Sequence, residues 1–81
     1  MSVQVVVKHL GRNWDAIRPN ERSALYRVAQ HMVHGHDLEI AHVGVEILNL
    51  MLFGGSVVSA KELLEAKGFE VSIKELNQGE Q

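Results

Sequence analysis

The chain of 81 residues contains no cysteine. It therefore forms no disulfide and cannot hold a zinc or iron–sulfur site through thiolate ligands. It also lacks the run of about 20 apolar residues that a membrane-spanning helix needs. The N-terminal residues MSVQVVVKHL show neither a secretory-signal pattern nor a glycine at position 2 for myristoylation. From these absences we expect a cytoplasmic protein that makes no contact with a membrane.

Motifs of nucleotide-binding and nucleophilic enzymes are missing as well. The glycines at positions 44, 54 and 55 match neither a phosphate-binding loop nor a dinucleotide fingerprint. Ser23, Ser56 and Ser59 stand in helical or capping contexts, without the strand–turn–helix elbow of a serine hydrolase. We therefore expect a protein that is not an enzyme and uses no cofactor. Metal-dependent chemistry at histidine and glutamate side chains is the enzymatic alternative.

The chain is long enough for one small folded domain. Val, Leu, Ile and Phe supply 26 of the 81 residues, well above the level of a disordered chain. A chain of this length buries only about 60–65% of its unfolded surface, so its core is marginal without a partner. We expect residues 1–76 to form one globular α+β domain and residues 77–81 to form a flexible tail.

Two strands are expected, one near each end of the chain. Residues 2–8, SVQVVVK, are rich in β-branched side chains and too short for a helix. One face of this strand is expected to carry three valines: Val3, Val5 and Val7. Phe69, Val71 and Ile73 alternate with polar residues and predict the second strand. Residues 11–18, GRNWDAIR, are expected to form a loop with at most one helical turn.

Three helices are expected between these strands, which makes the order β-α-α-α-β. The first begins around Pro19 or Asn20, because proline suits the first helical position and asparagine suits the cap, and it ends at Gly35. The second is capped by Asp37 and runs to Phe53. The third is expected over residues 60–67, with two local signals at its start. These signals are a capping box and a hydrophobic staple, formed respectively by Ser59 with Glu62 and by Val58 with Leu63.

The second helix is apolar almost all round, with one polar stripe of Glu39, His42, Glu46 and Asn49. A small monomer has little material to bury such a helix, and a two-stranded sheet is marginal alone. We expect this helix to pack centrally on the sheet and the chain to form a homodimer, either through the helix or through a strand edge such as residues 3–7. The residues assigned to this dimer or core surface are Leu38, Val45, Leu48 and Leu52.

Charge is distributed unevenly along the chain. Residues 1–35 carry +3 and residues 36–81 carry −5, within a net charge of −2. Such polarity is typical of an oriented contact with another molecule. An aromatic residue in a loop beside arginines is typical of binding hot spots. The candidate partner-binding residues are therefore Arg12, Trp14, Arg18 and Arg22, with the alternative that Trp14 anchors the core.

Residues 31–42, HMVHGHDLEIAH, contain four of the five histidines. Glu39 and His42 share a helix face, as in di-iron bundles. Imidazole and carboxylate ligands of this kind suit zinc, iron, nickel or copper. A di-iron bundle needs two Glu-x-x-His helices and two further glutamates, however, and one such motif is present. A metal site is therefore the weaker interpretation, and its candidate ligands are His31, His34, His36, Glu39 and His42.

These observations favour a non-enzymatic protein-interaction module. It would be an adaptor, or an inhibitor or regulator of a larger protein machine, of the size class that phages and mobile elements encode. The first alternative is a nucleic-acid-binding regulator that uses the basic N-terminal half, or a C-terminal helix-turn-helix whose second helix begins at Ser72. The acidic residues after Ser72 and the negative net charge oppose that alternative. The alternation over residues 70–76 favours a strand, and a short helix is the alternative.

Overall fold

The fold is a three-stranded sheet with three helices, as described by a computed structural model over residues 2–76. The predicted α+β class is confirmed, but the element order is β-β-α-α-α-β. The expected tail, residues 77–81, lies outside the described residues. The elements are β1 (Ser2–His9), β2 (Arg12–Arg18), α1 (Glu21–Val33), α2 (Leu38–Leu52), α3 (Val57–Ala66) and β3 (Glu70–Leu76).

Residues 12–18 form strand β2, so the expected loop over residues 11–18 is wrong. His9 pairs with Arg12, so Leu10 and Gly11 are the two central residues of a hairpin turn. Both have positive φ angles, 50° and 81°. Two-residue turns with positive φ match the twist of paired strands and hold a hairpin closed. The hairpin adds a third strand, which relieves the marginal stability expected of a two-stranded sheet.

Strand β1 lies in the centre of an antiparallel sheet with the order β2-β1-β3. Its three valines at positions 3, 5 and 7 face the helices and are buried, as the alternation predicted. Residues 70–76 form strand β3, so the strand interpretation is confirmed over the short helix, and the second helix of a helix-turn-helix is not formed there. Because both sides of β1 are paired, the expected free edge at residues 3–7 is wrong.

Helix α1, rather than α2, packs on the sheet. It contacts both β1 and β2 on one side and α2 on the other, while α2 packs on α1 and α3. The expectation of α2 as the central helix is therefore wrong. The physical reason is that α1 carries small and medium apolar side chains that can be buried on two sides of the helix. These are Ala24, Leu25, Val28, Ala29 and Met32.

The helix starts agree with the sequence for α1 and α2 but not for α3. The side chain of Asn20 accepts a hydrogen bond from the Ser23 backbone, and Asp37 caps α2 in the same way. Helix α3 begins earlier than expected, because Ser56 caps it by accepting from the Ser59 backbone N–H at 3.0 Å. Val58 lies inside this helix and is exposed. The capping box and the staple are therefore both wrong.

Helices α1 and α2 approach most closely at Gly44. A Cβ atom at this position would lie 2.8 Å from the Ala29 carbonyl oxygen and 2.8 Å from a methyl group of Val33. Since one of these neighbours is backbone, the contact cannot be relieved by a rotamer change alone. Gly44 therefore sets the spacing of the two helices.

We expect Gly44→Ala to destabilise the protein by about 1–3 kcal/mol through overpacking. In an ordinary helix interior the same change is favourable by about 1 kcal/mol. The free energy of unfolding in urea measures the difference. Gly35→Ala is the control, because a Cβ there meets nothing nearer than 3.5 Å, and it should change stability by less than about 0.5 kcal/mol. A Gly44→Ala protein as stable as wild type would contradict the close approach.

Candidate functional site

One face of α2 is apolar and exposed. Leu38, Val45 and Leu52 are 79%, 42% and 65% exposed, and Ala41 and Leu48 lie between them, partly buried. These five residues recur at alternating steps of three and four and so follow one line along the helix. They are named here the α2 stripe. The stripe contains all four residues assigned from the sequence to a dimer or core surface: Leu38, Val45, Leu48 and Leu52.

The α2 stripe is additional to the face that α2 buries in the core. That buried face packs against α1 and the rest of the core and consists of Ile40, Gly44, Ile47 and Met51. A third face of α2 is polar and exposed, and on it Glu46 pairs with Lys67 at 3.1 Å. It carries the four polar residues that the sequence predicted to line up: Glu39, His42, Glu46 and Asn49. Helix α2 therefore has two apolar faces, and the described part of the chain covers one of them. This is why the helix is apolar almost all round.

The two ends of the α2 stripe differ in charge. At the C-terminal end, Leu52 borders a surface pocket that also contains Tyr26 and three arginines: Arg18, Arg22 and Arg27. At the N-terminal end stand Asp37 and Glu39, where acidic side chains favour the start of a helix. The charge polarity along the sequence therefore becomes a polarity along this surface.

Arg22 stabilises the C-terminal end of α2. Its guanidinium group donates hydrogen bonds to the carbonyl oxygens of Gly55, at 2.7 Å, and of Met51. Carbonyl groups in the last turn of a helix lack partners within the helix, and a cation there also suits the helix dipole. Arg22 lies in α1, whereas Arg18 is the last residue of β2.

Arg12 and Trp14 are also held by contacts within the chain. The Arg12 guanidinium lies 5.2 Å from the centre of the Trp14 ring and donates to the Asp37 carboxylate at 3.0 Å. Trp14 is half-buried and packs against the core, 6.2 Å from the Phe69 ring. A partner-binding role for Arg12, Trp14, Arg18 and Arg22 stays a prediction. Arg12, Trp14 and Arg22 each have a structural role already.

His9 makes a contact that was not predicted from the sequence. Its ring stacks on Phe69 with 4.1 Å between ring centres, and its Nδ1 atom lies 3.3 Å from the Gly68 carbonyl oxygen. This contact joins the end of β1 to the turn before β3. No spacing in the sequence indicates it, because strand pairing brings together residues that are 59 positions apart.

The histidine-rich junction spans the end of α1 and the start of α2. Its five candidate ligands are all exposed: His31, His34, His36, Glu39 and His42. Within residues 2–76, no group of three or more histidine, aspartate or glutamate side chains is placed to hold a metal ion. The same residues include no helix of the length and apolarity required to cross a bilayer.

Comparison with known proteins found no matching protein family, no matching curated protein and no matching solved structure.

We expect Arg22→Met to lower the free energy of unfolding by about 1 kcal/mol, because carbonyl groups at the end of α2 lose a charged donor. Arg27→Met is the control, since the Arg27 side chain makes one exposed hydrogen bond, to the Gln30 side chain three residues on at 3.2 Å. It should change stability by less than about 0.5 kcal/mol. Urea denaturation of both variants measures this. Equal losses would contradict the helix-capping role of Arg22.

The pKa of Asp37 lies below its ordinary value. The backbone N–H of Ile40 is the largest cause, and the Glu39 N–H and the Arg12 guanidinium add to it, while partial desolvation opposes them. The ionised carboxylate therefore stabilises the folded state. This contribution is fully present above the ordinary pKa of an aspartate and is lost as the pH falls through the lowered pKa.

We expect Asp37→Asn to keep the cap of α2, because asparagine accepts the same backbone hydrogen bonds, but to lose the charge. The stability gap between wild type and this variant should be widest at neutral pH and should close in acid. Thermal unfolding as a function of pH measures the gap. Asp37→Ala, which removes the acceptor as well, should be less stable than Asp37→Asn at every pH. A gap that stays constant into acid would contradict the role of the charge.

Proposed function

We propose that this chain is a non-enzymatic protein-interaction module that binds another protein chain through the α2 stripe. The observation that carries the proposal is a line of apolar residues, the most exposed of them Leu38 and Leu52, on a helix whose neighbouring face is already in the core. Exposed apolar patches that run together and are rimmed by polar residues are typical of protein interfaces. The module would act as an adaptor or as a regulator of a larger assembly in the cytoplasm.

Burial of the α2 stripe in an interface would contribute favourable free energy to binding. Moving a large apolar side chain from water into an interface contributes about 1.5–3 kcal/mol. Leu38 and Leu52 are the most exposed members and Val45 lies midway between them. Their spacing matches the way in which an amphipathic helix presents anchors to another helix or to a groove. This arrangement favours a helical element as the structure that covers the α2 stripe.

Nucleic-acid binding is the weaker alternative. Two of the four arginines, Arg12 and Arg22, make contacts within the chain that a phosphate would have to replace. The net charge of −2 repels a polyanion. Arg18 and Arg27 lie near Tyr26, but they border the α2 stripe rather than a separate basic groove. We therefore assign these arginines to the rim of a protein interface.

The test is affinity capture from a lysate of the source cells, with the tag placed after Gln81 and with nuclease added. Wild type is compared with Leu52→Glu on the stripe and with Val58→Glu on α3. These residues are matched in exposure, at 65% and 63%. We expect wild type and Val58→Glu to retain the same protein and Leu52→Glu to lose it, because glutamate removes a large apolar contact and has to be desolvated in the interface.

Two outcomes would contradict the proposed function. Material that disappears with nuclease would indicate nucleic-acid binding instead. Capture that is equal for Leu52→Glu and wild type would place the interface elsewhere on the molecule. Circular dichroism of both variants shows that each remains folded, so that loss of capture reports the interface.

A further inference from the structure

We infer that the chain which covers the α2 stripe is a second copy of this protein, with the two α2 helices packed antiparallel about a two-fold axis between Val45 and Leu48. This inference rests on the proposed function, since it names the partner of the same surface. Three features of the described residues support it: the spacing of the stripe, the sizes of its side chains and the charges at its two ends.

The spacing of the α2 stripe is that of a helix which packs against another helix. Leu38, Val45 and Leu52 are separated by seven residues, and Ala41 and Leu48 fall between them, as the two apolar positions of a heptad do. An identical helix supplies an identical line of residues. Such a surface is complementary to itself about a two-fold axis, which is the commonest symmetry of soluble oligomers.

The side-chain sizes favour the antiparallel arrangement. A two-fold axis between Val45 and Leu48 places Ala41 level with Leu52 of the second copy, and Val45 level with Leu48 of the second copy. Each layer then combines a smaller side chain with a larger one, as close packing requires. In a parallel pair Ala41 would face itself and leave a void, while Leu48 and Leu52 would each meet their own copies.

Charge favours the same arrangement. Within the described residues the ion pairs are Arg12–Asp37 and Lys67–Glu46, so Arg18, Arg27 and Glu39 have no ion-pair partner there. An antiparallel pair brings the acidic start of each α2 to the arginine-bearing end of the other copy. It also places the positive end of each helix dipole beside the negative end of the other. A parallel pair would place like charges together at both ends.

The surface available extends along the whole of α2. Helix α2 has 15 residues and is about 22 Å long. Tyr26 of α1 is partly buried and lines the same surface pocket as Leu52, so the apolar surface continues onto α1 at that end. A specific interface buries about 1,000 Å² in total, so each copy has to contribute about 500 Å² from this face.

Analytical ultracentrifugation of the purified chain is the first test. We expect wild type and Val58→Glu to sediment at twice the 9.0 kDa of one chain. Leu52→Glu should raise the dissociation constant by about tenfold or more while keeping its helical circular dichroism. A mass of one chain for wild type over the whole concentration range overturns the inference. A Val58→Glu protein that dissociates as fully as Leu52→Glu overturns the assignment to the α2 stripe.

The absence of native cysteine allows the orientation to be tested without background labelling. Leu48→Cys, near the two-fold axis, should form a covalent dimer with a short bifunctional thiol reagent. Leu38→Cys and Leu52→Cys should each fail to cross-link alone. The two-fold axis between Val45 and Leu48 separates the two copies of residue 38 by about 25 Å along the helices and the two copies of residue 52 by about 16 Å. A mixture of these two variants should cross-link. Cross-linking of Leu38→Cys with itself and of Leu52→Cys with itself overturns the antiparallel arrangement.

The result also separates this inference from the proposed function. A chain that stays monomeric but captures a different protein in a stripe-dependent manner overturns the second copy as partner and leaves the interaction module standing. A monomeric chain that captures nothing through the α2 stripe overturns both.

Discussion

The burial of α1 on two sides is the packing on which the rest of this structure depends. One side of the helix covers the valines of β1, and the other receives α2 at a spacing set by Gly44. Because α1 fills the space next to the sheet, α2 has to lie outside it. The outer position leaves α2 with a second apolar face that nothing in the described residues covers. The candidate interface is thus a direct consequence of how the core is layered.

The polar contacts of the chain hold this layering in register. Arg22 reaches from α1 to the carbonyl end of α2, while Asp37 caps the other end and pairs with Arg12 of β2. Residues of the basic N-terminal half therefore form direct contacts with residues of the acidic C-terminal half within the domain. Arg18, Arg27 and Glu39 form no ion pair within the described residues, and they stand at opposite ends of the α2 stripe.

The elements that could be predicted from the sequence are those in which a local pattern determines a local structure. The alternating valines of β1 and the caps at Asn20 and Asp37 could be predicted because side-chain period and capping depend on neighbouring residues. The hairpin at Leu10 and Gly11 was missed, since it needs a positive φ at a leucine that no local rule favours. The start of α3 was misplaced because Ser56 and Ser59 are both good caps and the preceding turn selects between them.

The sequence by itself determined the α+β class, the apolar character of α2 and four of the five residues that form the α2 stripe, all except Ala41. All of these follow from composition and from periods of two or of three to four residues. Tertiary structure alone decided which helix lies on the sheet, which face of α2 remains exposed and which arginines are already engaged. The reason is that a helix that is apolar on two faces can bury either one. Which face is buried depends on how α2 packs against α1, where Gly44 permits a close approach, and on how α1 packs against the sheet.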